Sequence, residues 1–228
     1  MSAADGVDRL RPPSVPEELA RTGVMAIVRY RGGGDVLAAV GAVAAGGITV
    51  VEVTMDTPGA FEAIAAAVER PELVVGGGTV TEVAQVAELA AIGARFIVSP
   101  GFDRDVVTAA LDRGLDTLPG VTTATEVMAA RRAGSRLFKL FPAGALGTRY
   151  LSELRGPFAG EAFVPTGGIA VDGIGAWLLA GASAVAIGSD VAGRLAPRDA
   201  AEAAILTERA GRAVAAARSA RHDRAVRS

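Results

Sequence analysis

Between residues 24 and 187 the sequence repeats one unit eight times, a short β-branched or aliphatic run followed by an alanine-rich stretch with helical spacing of its apolar positions. The runs are Val24–Val28, Val50–Val53, Leu73–Val75, Phe96–Val98, Leu115–Leu118, Leu137–Leu140, Ala162–Val164 and Ala184–Ile187. Helices are expected over 35–45, 59–68, 81–91, 103–112, 124–133, 148–154, 171–180 and 198–217. Strands so short and so uniformly apolar belong to a parallel sheet buried on both faces. Several helices end at a glycine (Gly46, Gly93, Gly114, Gly134, Gly181), as a left-handed C-terminal cap requires. Eight right-handed strand–helix units close most naturally into a cylinder. An open doubly wound sheet would carry a G-x-G-x-x-G turn after its first strand, and none is present. The expected fold is α/β, a single-domain (β/α)8 TIM barrel over residues 16–217. Residues 1–15 read as a disordered N-terminal segment, with Pro12, Pro13 and Pro16 leading into a short helix over 17–21. Residues 218–228 read as a basic C-terminal tail, in which Arg218, Arg221, Arg224 and Arg227 mark a frayed, solvated helix end.

Composition narrows the chemistry. The chain has no cysteine and a single histidine, His222, in the charged tail, so thiolate nucleophiles, Ser-His-Asp triads and His- or Cys-ligated metals are all excluded. A net charge of −2 argues against nucleic acid as the main partner. No apolar run approaches a membrane span, and the start of the chain lacks the apolar core of a signal peptide, so a soluble cytoplasmic protein is expected. Against twenty-two arginines there is one lysine, Lys139, flanked by Phe138, Leu140 and Phe141. Arginine supplies surface charge here, whereas only an amine can lose its proton and attack a carbonyl. Burial among large apolar side chains favours that neutral form.

Barrels place their chemistry at the C-terminal ends of the strands. That rule selects Arg29 after strand one, Glu52 in strand two, Thr79 after strand three and Lys139 in strand six. It also selects Thr166-Gly167-Gly168 after strand seven and Gly188-Ser189 after strand eight. A lysine and a carboxylate facing one interior suffice for imine chemistry, in which the amine condenses with a ketone and the carboxylate moves protons. The two glycine-bearing turns let backbone N–H groups approach a phosphate, although tight-turn geometry alone also explains them. A structural ion pair with Arg29 or Lys139 is the competing explanation of Glu52. Gly76-Gly77-Gly78 fits close approach to a ligand or a plain loop equally well.

The stretches Gly47–Thr54, Gly76–Val80, Ile97–Gly101, Leu118–Val121, Phe138–Ala143, Gly156–Phe158 and Val164–Ile169, taken in order, resemble the 2-keto-3-deoxy-6-phosphogluconate (KDPG) and 4-hydroxy-2-oxoglutarate (KHG) aldolase family, which includes phosphogalactonate homologues. The resemblance runs from about Val24 to Ala217. It implies a class I, metal-free aldolase without cofactor, working through a covalent imine on Lys139 and assembled as a homotrimer. It further implies Glu52 as general acid and base, Thr79 and Thr166 at the pyruvyl group, and Gly167, Gly168 and Ser189 at the phosphate. Where well-known members carry a carboxylate-binding arginine this chain has Asp56, so that role passes to Arg29, as in other members. The expected partner is a small keto-deoxy sugar acid, phosphorylated at its far end. Cleavage to pyruvate and glyceraldehyde 3-phosphate is the expected reaction. The alternatives are cleavage of 4-hydroxy-2-oxoglutarate, a phosphate-binding barrel isomerase or epimerase, and a non-catalytic sugar-phosphate-binding barrel.

Overall fold

The structure is a computed structural model that describes residues 14–32 and 34–227. Its strands are β1 (Val24–Val28), β2 (Val50–Thr54), β3 (Val74–Gly78), β4 (Phe96–Val98), β5 (Asp116–Leu118), β6 (Gly120–Val121), β7 (Leu137–Leu140), β8 (Ala162–Pro165) and β9 (Val185–Ile187). All of them pair in parallel, in the orders β5-β4-β3-β2-β1-β9 and β6-β7-β8. β5 and β6 form one stave interrupted at Pro119, which has no N–H to give to the ladder. The Pro119 carbonyl still accepts from Lys139 N at 3.0 Å. A parallel bridge between Thr166 and Ala186 joins β8 to β9 and closes the cylinder. The eight staves of the expected barrel are therefore present, with one broken in two.

The helices are α1 (Val15–Thr22), α2 (Val36–Ala45), α3 (Ala60–Ala67), α4 (Val83–Ala91), α5 (Arg104–Leu111), α6 (Ala124–Arg132), α7 (Ala143–Arg155), α8 (Ile174–Leu179), α9 (Ser189–Ala192) and α10 (Ala200–Arg227). Three of them depart from the sequence expectation. α7 starts five residues earlier than expected, because a break at Gly147 (φ 81°) separates a first turn that reads as loop. α9 is a single turn, too short to show a period. α10 continues through the segment read as tail. Ala217 and Ala220 are buried in it, and Arg221 donates to the carbonyls of Leu19 and Ser183, each at 3.1 Å, and to that of Ala20. Those bonds dock the helix end onto the barrel, so at Arg221 the solvated reading is wrong. Of the expected disordered segment, residues 1–13 lie outside the described residues. Ser14 and Val15 are ordered, Ser14 closing a capping box with Glu17 and Val15 opening α1 fully buried.

The strands divide their side chains between two cores. Outward-facing residues such as Val28, Val51, Val53 and Phe138 pack under the helices. Inward-facing Met25, Val50, Val74, Phe96, Leu118, Leu137, Val164 and Ala184 fill the cylinder, and Val15 and Leu19 of α1 join them from below. Asp116 accepts from Val15 N at 3.3 Å, tying that plug to the start of β5. The lower barrel is thus packed with apolar side chains, and a cavity opens at the strands' C-terminal ends.

Two of the three consecutive glycines of β3 are accounted for by this packing. A Cβ on Gly76 would overlap the Phe96 carbonyl and ring, and one on Gly77 would overlap Leu89 of α4. Gly76→Ala is expected to lower the unfolding free energy in urea by about 1–3 kcal/mol. Gly101→Ala, which meets open space at an ordinary backbone angle, is expected to stay close to wild type.

Candidate active site

β2 and β7 each bring one ionisable side chain to the inner face just above the packed floor. Lys139 follows inward-facing Leu137 by two residues on β7, and Glu52 follows Val50 by two on β2, as the period of a strand demands. Both are buried, Lys139 at 5% exposure and Glu52 at 1%. Loss of hydration pushes the Lys139 ammonium below the ordinary lysine range, Glu52 opposing the shift and Arg29 adding to it. The same loss pushes the Glu52 carboxyl up, against the pull of Lys139 and Arg29 and with help from Asp56. Each group therefore shifts toward its neutral form. The Lys139 ammonium nitrogen stands 5.0 Å from the centre of the Phe141 ring.

Neither oxygen of Glu52 has a hydrogen-bond partner among the described residues, and no ion pair includes it. The structural-pair explanation of Glu52 is not supported. Its position depends on Gly78, because a Cβ there would run into the Glu52 carboxyl group. The third glycine of β3 is thus a space left for a carboxylate, neither a ligand cradle nor a plain loop.

Arg29, Glu52, Thr79, Lys139, Thr166, Gly167, Gly168, Gly188 and Ser189 all line one cavity of about 1050 Å³. The nine residues selected from strand ends meet. Arg29 donates to Thr54 Oγ1 at 3.4 Å and to Thr79 Oγ1, and its Nε lies 3.4 Å from Asp56 Oδ1. Thr79 holds a left-handed backbone (φ 58°), a costly conformation for a β-branched residue, while its hydroxyl points at Arg29. Gly167 (φ 89°) and Gly168 (φ 70°) occupy the same backbone region, so turn geometry does require glycine there. Carbonyls of this turn also accept bonds, Thr166 O from Ala143 N at 2.9 Å and Gly167 O from Gly144 N at 2.8 Å.

Sequence reasoning passed over several contributors. Tyr30 is buried and donates to Ala192 O at 2.6 Å, which ties the end of β1 to α9; burial pushes its phenol up to about 12. Its backbone N–H is held by Thr57 Oγ1 at 3.1 Å. Ile27, Arg31 and Arg194 also line the cavity, as do Phe141, which the sequence places beside Lys139, and Asp190, which follows the Gly188-Ser189 turn and accepts from Val171 N at 2.7 Å. Tyr30 lies between Arg29 and Arg31 just past strand one, a polar setting that gives no hint of its burial. Nothing local marks Ile27, Arg31 or Arg194.

The family profile for KDPG and KHG aldolase matches residues 15–205. This chain belongs to the KDPG and KHG aldolase family. It is 43% identical over 132 residues to the 2-dehydro-3-deoxy-phosphogluconate aldolase of Dickeya dadantii (strain 3937), a match covering 57% of this chain and 62% of that protein. The aligned stretch is thus less than two thirds of that relative's length. It is 33% identical to the 2-dehydro-3-deoxy-6-phosphogalactonate aldolase of Escherichia coli (strain K12), over 79% of this chain and 91% of that one. The KDPG aldolase of Legionella pneumophila, solved with pyruvate captured at low pH as a covalent carbinolamine intermediate, superposes with a TM-score of 0.76. That pair shares 32% identity over 86% of this chain and 96% of the other.

In this aldolase-family barrel the unpartnered carboxyl has a consequence for stability. Because the folded protein holds Glu52 above its unfolded pKa, the group carries no penalty at low pH, where it is protonated in both states. The penalty grows as pH rises through the folded value. Glu52→Gln is expected to raise Tm by roughly 2–6 °C near pH 8 and to leave it unchanged near pH 4, about the ordinary glutamate value. Thermal unfolding followed by circular dichroism at both pH values checks the sign.

Proposed function

We propose that the protein is a class I aldolase that cleaves 2-keto-3-deoxy-6-phosphogluconate, or its galactonate epimer, to pyruvate and glyceraldehyde 3-phosphate. The observation that carries this reading is the pairing of the chain's sole lysine, buried, with an unpartnered buried carboxyl at the mouth of one barrel. A binding protein has no use for a desolvated amine, since arginine would hold a phosphate better.

In this reading the neutral Lys139 amine adds to the C2 ketone to give a carbinolamine, which loses water to form an iminium. Glu52, in its ionised form, takes the C4 hydroxyl proton as the C3–C4 bond breaks, and the electron pair flows into the iminium to leave an enamine. Glyceraldehyde 3-phosphate departs. The enamine is reprotonated at C3, and water hydrolyses the iminium to pyruvate and free Lys139. Desolvation serves both steps, favouring the unprotonated amine and raising the proton affinity of Glu52, the group that accepts and returns the proton.

Arg29 with Thr79 is the proposed carboxylate and pyruvyl end of the site, with Thr166 beside them. Gly167, Gly168, Gly188 and Ser189 form the proposed phosphate end, and Arg194 lines the cavity with Ser189. The chemistry asks for no metal and no cofactor. A homotrimer, by the family resemblance, and a cytoplasmic location complete the proposal. No helix among the described residues is long and apolar enough to cross a membrane.

Borohydride reduction in the presence of pyruvate is expected to add one reduced pyruvyl group to Lys139, located by peptide mass mapping, and Lys139→Met is expected to abolish the adduct. Glu52→Gln is expected to lower kcat by about 10²–10⁴-fold. Wild-type protein that forms no adduct and releases no pyruvate from the gluconate, galactonate or 4-hydroxy-2-oxoglutarate substrates would point to the isomerase or binding-protein alternatives.

A further inference from the structure

The guanidinium proposed for the substrate carboxylate already has a carboxylate against it. Arg29 leaves the end of β1 and Asp56 stands two residues beyond β2, and the two face each other across the cavity mouth with Arg29 Nε 3.4 Å from Asp56 Oδ1. Thr54 Oγ1 and Thr79 Oγ1 accept from the same guanidinium, so it is fixed from β2 and from the loop after β3. A bound 2-keto acid would compete for that cation, since bidentate pairing with Arg is the strongest arrangement open to a carboxylate. Both members of the resident pair are 47% exposed, which makes the pair weak enough to be exchanged.

We propose that Asp56 is a resident competitor for the substrate carboxylate, a specificity-determining residue that holds Arg29 in the empty site and sets how tightly a 2-keto acid is taken up. The inference rests on the aldolase reading. Its opposite is a purely orienting Asp56, whose loss would let Arg29 wander and weaken uptake. The two accounts predict changes of opposite sign.

Asp56 also acts on proton transfer. The charged groups facing Glu52 are Lys139 of β7, Arg29 of β1 and Asp56 itself, and only Asp56 opposes its ionisation. Removing that charge therefore eases ionisation of Glu52 while freeing Arg29. A residue that merely supported the loop would not couple these two effects.

Pyruvate is the probe, used with wild type, Asp56→Asn and the charge-conserving Asp56→Glu. The readouts are the pyruvate concentration that half-saturates borohydride trapping, and the pH profile of pyruvate methyl-proton exchange into D2O. Asp56→Asn is expected to lower the half-saturating concentration at least about fivefold. It is also expected to move the acid limb of the exchange profile to lower pH, while Asp56→Glu remains near wild type. An adduct whose half-saturation is unchanged or raised in Asp56→Asn overturns this inference alone. A wild type that gives no adduct at any pyruvate concentration overturns the aldolase reading and this inference with it.

Discussion

The structure depends on keeping one amine and one carboxyl out of water without letting them neutralise each other in a closed ion pair. A buried pair held by direct hydrogen bonds would have fixed both charges. Here Glu52 makes no such bond, and desolvation is the largest influence on each group. Each is displaced toward its uncharged form, the condition that an amine nucleophile and a reusable proton carrier share. Such an arrangement is thermodynamically unfavourable, and the rest of the barrel has to sustain it.

The floor provides that support. Val15 and Leu19 of α1 close the cylinder from below, and the large rings of Phe96, Phe138 and Phe163 are fully buried around it. Phe138 and Phe163 meet at 5.7 Å between ring centres, packing β7 to β8 on the outer face while Lys139 turns inward. Room for the site is made by subtraction, with Gly76 and Gly78 leaving the inner face of β3 bare where Phe96 and Glu52 need space. At the rim, Tyr30, Thr54, Thr57 and Thr79 form a hydroxyl network that fixes Arg29 and ties β1 to α9. Rigid surroundings of this kind hold a reactive pair at a set separation.

Much of this was legible in the sequence because the strands are unbroken β-branched runs and the helices carry a clear period. The misreadings have local causes. Pro119 splits a stave by lacking a donor, Gly147 hides the first turn of α7, and α9 is shorter than any period. The arginines of the tail looked solvated, since a sequence does not reveal which carbonyls a guanidinium will find; Arg221 finds three. The site residues followed from one geometric rule about barrel strand ends, which is why all nine fall in one cavity. What escaped were relations between distant positions: the Arg29–Asp56 pair, the strained Thr79, and the carboxyl that explains Gly78. Those emerge only when strands 25 residues apart are set side by side, as Ile27, Glu52 and Gly76 are here.

The central claim concerns the protonation of a single amine, and the chain allows it to be read without interference. Because Lys139 is the only lysine, protein grown with isotopically labelled lysine gives a single side-chain resonance in a nuclear magnetic resonance titration. That resonance is expected to titrate below the ordinary lysine range, and to fall further in Glu52→Gln as the one carboxyl holding a proton on it is removed. A resonance that titrates like a free lysine, unmoved by Glu52→Gln, would contradict the account.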